Sequence, residues 1–167
     1  LWYVMQVRTG QELETAEKCR ARIIKPGEDV FVMQGERMFK TSRGMEKRLY
    51  GLFKSYVFVE TEDIDDFWMR LRSMNVMTKV LTTGDTMTPV YPEEERFLRN
   101  LGGDDHVVRF SEGYMAGEKL VITEGSMKGY EGRVKWIDRH RRYAVISVEL
   151  LGQMADVKLG LEVLKKI

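Results

Sequence analysis

Apolar and polar positions alternate from the first residues of the chain, with Trp2 and Val4 on one face and Tyr3, Met5 and Val7 on the other. Apolar residues on both faces predict a central strand over Leu1 to Arg8. Thr9-Gly10-Gln11-Glu12 reads as a capping box, with Thr9 as the cap and Glu12 returning the bond. The helix it opens is predicted to run to about Lys25, with Leu13, Ala16, Cys19 or Arg20, and Ile23 on one stripe; Pro26-Gly27 stops it. Asp29 to Lys40 predicts a hairpin turning near Gln34-Gly35-Glu36, and the polar, glycine-marked 41–51 a loop. Leu52 to Glu60 predicts a strand whose end alternates Tyr56 and Phe58 against Val57 and Val59. Thr61 is placed to cap a second helix with Ile64, Phe67, Trp68 and Leu71 inward. Val76 to Leu81 predicts another strand. Pro92 opens a third helix, followed by Glu93, Glu94 and Glu95 where the helix dipole favours acids. Phe97, Leu98 and Leu101 face inward, Gly102-Gly103 ends it, and His106 to Phe110 predicts a short strand.

The order β-α-β-β-β-α-β-α over residues 1–110 predicts an α+β domain, its helices against an antiparallel sheet. Residues 111–117, SEGYMAG, predict a linker. Beyond it no stretch has helical period. Lys119 to Thr123 alternates, a loop with Gly125, Gly129 and Gly132 follows, and Arg133 to Ile137 is a second strand ending in a basic turn. Tyr143 to Glu149, Val157 to Leu159 and Leu161 to Val163 supply further strands, so 118–167 reads as a small β-barrel.

Composition narrows the function. The net charge is +1, so no global charge dictates a partner. The charge is uneven: residues 117–167 hold ten lysines and arginines against seven acids, and residues 1–116 are slightly acidic. Cys19 alone excludes an internal disulfide and a cysteine-cluster zinc site, and His106 and His140 are too few for a metal centre. No cofactor is expected. No apolar run is long enough to span a bilayer and no signal peptide is visible, so a cytoplasmic protein is expected, without a membrane role. Leu1 is an unusual first residue, and a residue upstream of it is expected. No Ser/His/Asp or Cys/His set, phosphate loop or metal-ligand spacing appears, and no enzyme is expected.

Two groups could carry function. The first is basic: Lys128, Arg133, Lys135, Arg139, His140, Arg141 and Arg142, with Tyr130 or Trp136 as a stacking surface. A solvated turn would explain such a run. Yet three arginines and a histidine in consecutive positions 139–142 are dense for a turn between apolar strands, and the guanidinium fork suits phosphate. The second is the Tyr56–Val59 strand, whose rings are either core or an exposed apolar face.

Gly117 to Gly132 resembles the KOW motif, in which a strand and a glycine-ended loop open an SH3-like barrel. Together with Trp2-Tyr3-Val4, Thr9 to Glu12, and Leu52 to Val59, it resembles the NusG family of transcription elongation factors, where an NGN domain precedes a KOW domain. The chain departs from that family at Lys54-Ser55, where the family commonly has Pro-Gly. Lys128 to Gly132, Ile137 to Arg142 and Gly160 to Val163 most resemble the LoaP antiterminator branch. The resemblance implies an NGN domain docked on the clamp helices of RNA polymerase, with Gln6, Tyr56, Phe58 and Leu81 as the docking candidates. It also implies a KOW domain holding an RNA hairpin of a leader transcript through Lys128, Tyr130, Arg133, Lys135 and the 139–142 turn. The first domain could also contact non-template DNA, and a monomer is expected. Two alternatives stay open: a general NusG factor whose barrel binds Rho or a ribosomal protein, and a KOW-containing ribosomal protein.

Overall fold

In a computed structural model that describes residues 1–74, 78–80, 82–83 and 86–166, the opening alternation becomes β1 (Trp2–Val7). It lies inside a four-stranded sheet with β5 (Tyr56–Glu60) on one side and β6 (Thr78–Val80) on the other. A short β2 (Asp29–Phe31) adds to the far edge of β5, and every pairing in this sheet is antiparallel. This sheet belongs to one unit, residues 1–33 and 53–95.

Both faces of the sheet are apolar, as the central-strand reading requires. On one face Tyr3, Met5, Val7, Val57 and Val59 pack with Ala16 and Cys19 of α1 (Glu12–Arg22) and Phe67 and Leu71 of α2 (Ile64–Arg72). Each fully buried side chain of this size contributes roughly 1.5–3 kcal/mol. The Cys19 thiol is fully enclosed, and burial pushes its pKa up to about 11, so it is packing rather than a nucleophile. The other face carries an aromatic cluster: Phe58 stacks on Phe31 with centroids 5.5 Å apart, and Trp2 meets both rings edge-on.

Local details differ from the sequence reading. Thr9 does not cap α1; Gln11 holds the cap position without a side-chain bond, and Leu13 is exposed. Glu12 does turn back, accepting from the Gly10 N–H at 2.6 Å and also from the Ser55 N–H at 3.0 Å. Asp63, not Thr61, caps α2, by accepting from the Asp66 N–H. Thr61 instead donates to Glu28.

The second unit comprises residues 34–52 and 96–167, the division falling within α3 (Pro92–Gly102). The expected hairpin is shifted: β3 (Gln34–Thr41) pairs along its length with β4 (Gly44–Gly51), turning at Ser42-Arg43. Residues 44–51 are therefore strand rather than loop. In the first unit two two-residue strands, β7 (Thr82–Thr83) and β8 (Thr86–Met87), pair with each other; in the second, β9 (Val107–Val108) runs parallel to β3. Apart from a 3-10 turn at Glu131–Arg133, the regular elements that follow are strands: β10 (Ser111–Ala116), β11 (Lys119–Glu124), β12 (Val134–Asp138), β13 (Tyr143–Leu150) and the long β14 (Gln153–Lys166). They form a five-stranded sheet in the order β11-β10-β14-β13-β12. The linker expected over 111–117 is thus a strand, because Glu112 to Ala116 pair with β11 on one side and Ser111 to Met115, in parallel, with β14 on the other. Gly160 of β14 has no room for a side chain: a Cβ there would run into the Glu36 carbonyl and the Phe110 ring. That close approach seats β14 against β3.

Candidate nucleic-acid interface

The turn from β12 into β13 is built by its own polar groups. The Asp138 carboxylate accepts from the Arg141 N–H at 2.8 Å, and Arg142 takes a left-handed φ of 59°. The Arg142 carbonyl accepts from the Leu161 N–H at 3.0 Å. With its backbone bonded inward, the turn presents Arg139, His140 and Arg141 to solvent and leaves Arg142 half-buried.

A cleft of about 640 Å³ opens between this turn and the β3–β4 hairpin. His140, Arg141 and Arg142 form one wall, and Arg37, Phe39 and Lys40 of β3 form the other, with Met45 of β4 beside them. Among the described residues none of these cations pairs with a carboxylate. Arg37 is held by rings instead: its guanidinium lies 5.0 Å from the centroids of Phe39, Tyr50 and Tyr143. Tyr143 is the first residue after the turn, so this stack ties the hairpin to it. Burial raises the Tyr50 phenol above its ordinary pKa, the nearby Arg37 opposing it, so the ring stays neutral beside the cation.

The structure divides the basic residues expected to act together. Arg139 to Arg142 stay together, the first three exposed and Arg142 half-buried. Tyr130 and Arg133 are drawn to α3: the Arg133 guanidinium is 3.9 Å from the Phe97 centroid, and Tyr130 meets that ring edge-on at 5.2 Å. Lys135 is neutralised by Asp156 at 3.1 Å. Ser147 and Lys135 both hold the Asp156 carboxyl below its ordinary range. Lys128 is exposed in the glycine loop and does not line the cleft. Arg37, Phe39, Lys40 and Met45 were not among the expected site residues. Their basic and aromatic character was visible, but their pairing with a turn some hundred residues later was not.

The sheet face expected to dock polymerase is likewise divided. Phe58 has no exposed surface and sits among Trp2, Phe31 and Phe53, so it is core rather than surface. Tyr56 is half-buried and Gln6 exposed, and they are cross-strand partners at one end of the same face, with Lys79 of β6 next in the row. Leu81 lies outside the described residues. Among the described residues no group of His, Cys, Asp and Glu could hold a metal ion, and no helix is long and apolar enough to cross a membrane.

These features define a class: an α+β protein with a two-faced antiparallel sheet and an all-β barrel bearing uncompensated cations. Comparison with known proteins names the family. The NusG family model, described as transcription termination factor nusG, matches residues 1–99, and the chain belongs to this family. The NusG termination/antitermination proteins of Pasteurella multocida and Haemophilus influenzae are each 29% identical to it, covering 99% of this chain and 94% of theirs. That of Rickettsia typhi is 25% identical, covering 99% and 89%. A solved structure of domain interaction in Thermotoga maritima NusG has the same fold, with a TM-score of 0.54 at 24% identity over 95% of this chain and 92% of that one. The chain is a NusG-type transcription termination/antitermination factor.

Proposed function

We propose that this factor is an antiterminator of the LoaP kind. It binds the clamp helices of RNA polymerase through the unit of residues 1–33 and 53–95 and an RNA hairpin of the leader transcript through the five-stranded sheet that begins at Ser111. The observation that carries this reading is the Arg139-His140-Arg141-Arg142 turn, exposed at its first three residues. Its backbone is fixed by Asp138 and Leu161, and its cations have no carboxylate partner among the described residues. Grouped cations without an intramolecular counterion repel one another, and a phosphate backbone relieves that cost. A-form RNA admits side chains poorly to its deep major groove, so a short basic turn suits a hairpin's loop or distorted end. On the polymerase side, Tyr56 and Gln6 are the accessible members of the expected docking set among the described residues. Holding polymerase and transcript together raises the effective concentration of each for the other.

A general NusG role, with the barrel binding a protein such as Rho or a ribosomal protein, has one observation in its favour: Trp136 and Met154 of the barrel are exposed at 49% and 63%. The ribosomal-protein reading has no support once the chain belongs to the NusG family over most of its first domain.

Titration of the full chain with a leader RNA hairpin and with an unrelated RNA tests the proposal. Neutralising about three phosphates gives a log K against log salt slope of roughly −2 to −3. Replacing Arg139, Arg141 and Arg142 by alanine should abolish hairpin preference. An unchanged affinity would refute the RNA role of the turn.

A further inference from the structure

We propose that the β3–β4 hairpin is the second jaw of the RNA site, and that the cleft between hairpin and turn holds an unpaired nucleotide of the bound RNA. The inference rests on the RNA reading of the turn and deepens it, since it names what enters and which residues beyond the turn receive it.

Three observations carry it. The first is charge. Arg37 and Lys40 face Arg141 and Arg142 across one cleft, and among the described residues no carboxylate lines it. Arg37 also stands cross-strand to Arg48, a like-charge pairing that costs stability in a sheet; Arg48 has Glu46 at 3.0 Å, and Arg37 has no such partner among the described residues. A cation that lines the cleft and is held in place by three rings is preorganised for an incoming anion.

The second is the apolar part of the lining. Met38, Phe39 and Met45 lie among the cations, and Met45 is 40% exposed. A site for inorganic phosphate alone has no use for such a surface. A nucleotide does: its phosphate meets the cations while its base lies on an aromatic or thioether face. The third is size. A cleft of about 640 Å³ falls within the ~300–1,000 Å³ range of small-molecule pockets and cannot take a duplex. The base must therefore be unpaired, as in a hairpin loop or bulge.

Lys40 and Met45 are cross-strand partners on the hairpin, and both are exposed. Lys40→Ala removes one phosphate contact. Met45→Glu places a carboxylate opposite Lys40 and turns the apolar wall anionic. Neither touches the Arg37 stack, so both variants should fold; thermal unfolding at the wild-type temperature checks this.

The probes are a stem with a six-nucleotide loop, the same stem as a blunt duplex, the loop sequence as single-stranded DNA, and a polyglutamate peptide. Lys40→Ala should weaken binding of the looped RNA about fivefold and flatten its salt slope by about one, and Met45→Glu should weaken it about tenfold. Binding to the blunt duplex should barely change. A photoreactive uridine in the loop should crosslink to peptide 37–45 of the full chain. If both hairpin variants bind looped RNA like wild type while the triple arginine variant of the turn does not, the second jaw is overturned and the RNA role of the turn stands. If neither set matters, both fall. Equal binding of the DNA loop would overturn RNA as the specific occupant, and stronger competition by polyglutamate than by looped RNA would overturn a nucleotide altogether.

Discussion

Glu28→Gln should cost about 3 kcal/mol of stability at neutral pH, and that cost should disappear in acid. Glu28 lies in the segment between α1, which ends at Arg22, and β2, and its carboxylate is almost wholly bonded. Arg70 of α2 grips both oxygens with N–H donors at 2.8 Å, the Thr61 hydroxyl donates at 2.7 Å and the Lys25 N–H at 2.8 Å. The side chains of Glu28 and Arg70 are only 10% and 19% exposed, so solvent screens the pair weakly. The Arg70 hydrogen bonds, against the opposing effect of burial and aided by Thr61 and Lys25, hold the carboxyl at about 2, against an ordinary 4.5. At about 1.4 kcal/mol per pH unit, that drop amounts to about 3 kcal/mol of stability. Because the folded state binds the proton less well than the unfolded chain, the stabilisation is complete above about pH 4.5 and is lost as the pH falls toward 2. The glutamine side chain keeps one acceptor but no charge, and Arg70 retains Asp66 at 3.0 Å, which keeps the loss at about 3 kcal/mol rather than more. Urea unfolding of both proteins at pH 7, 5 and 3 measures it. The difference should be near its full value at pH 7 and 5 and clearly smaller at pH 3. A loss under about 0.5 kcal/mol at pH 7, or one that does not shrink in acid, would refute the reasoning.

Ser55 takes a φ of 71°, the left-handed region that costs a residue with a Cβ roughly 1–2 kcal/mol, and it stands where the family commonly has glycine. Ser55→Gly should therefore raise stability by about 0.5–1 kcal/mol, offset in part by loss of the Thr9–Ser55 hydroxyl contact; a lower denaturation midpoint would contradict this. Gly160→Ala should destabilise by more than 2 kcal/mol, because the new methyl meets backbone at the Glu36 carbonyl as well as the Phe110 ring; wild-type unfolding would show that β14 can shift away from β3. Phe58→Ala should cost about 3–5 kcal/mol, whereas Tyr56→Ala should leave stability within about 1 kcal/mol and weaken polymerase binding in a pull-down; the reverse pattern would place Tyr56 in the core.

How legible each element was depended on how local its cause is. The stripes Ile64, Phe67, Trp68, Leu71 and Phe97, Leu98, Leu101 are spaced by the helix itself, and all are buried except Trp68, which is half-buried against the core. Both faces of β1 were readable for the same reason. The β3–β4 hairpin was misplaced because its residues are mostly half-buried or exposed and give no clean alternation, and Gly35 looked like the turn. It is instead a strand position against Tyr50 and Leu52. Strand β10 was hidden because Ser-Glu-Gly-Tyr-Met-Ala has the composition of a linker. What makes it a strand is pairing with β14, some fifty residues on. Tyr56 and Phe58 share one face by sequence, but only the rings of Trp2, Phe31 and Phe53 decide that Phe58 is enclosed. The basic turn was visible as a run of residues, whereas the far wall of its cleft comes from a hairpin that the sequence does not place.

Transcription in vitro by bacterial RNA polymerase, on a template with a leader hairpin upstream of a terminator, tests the central claim most directly. The full chain should increase read-through only when the hairpin is encoded. The variant with Arg139, Arg141 and Arg142 replaced by alanine should lose that increase while still co-sedimenting with polymerase. Read-through that is indifferent to the hairpin, or undiminished in the variant, would contradict the account.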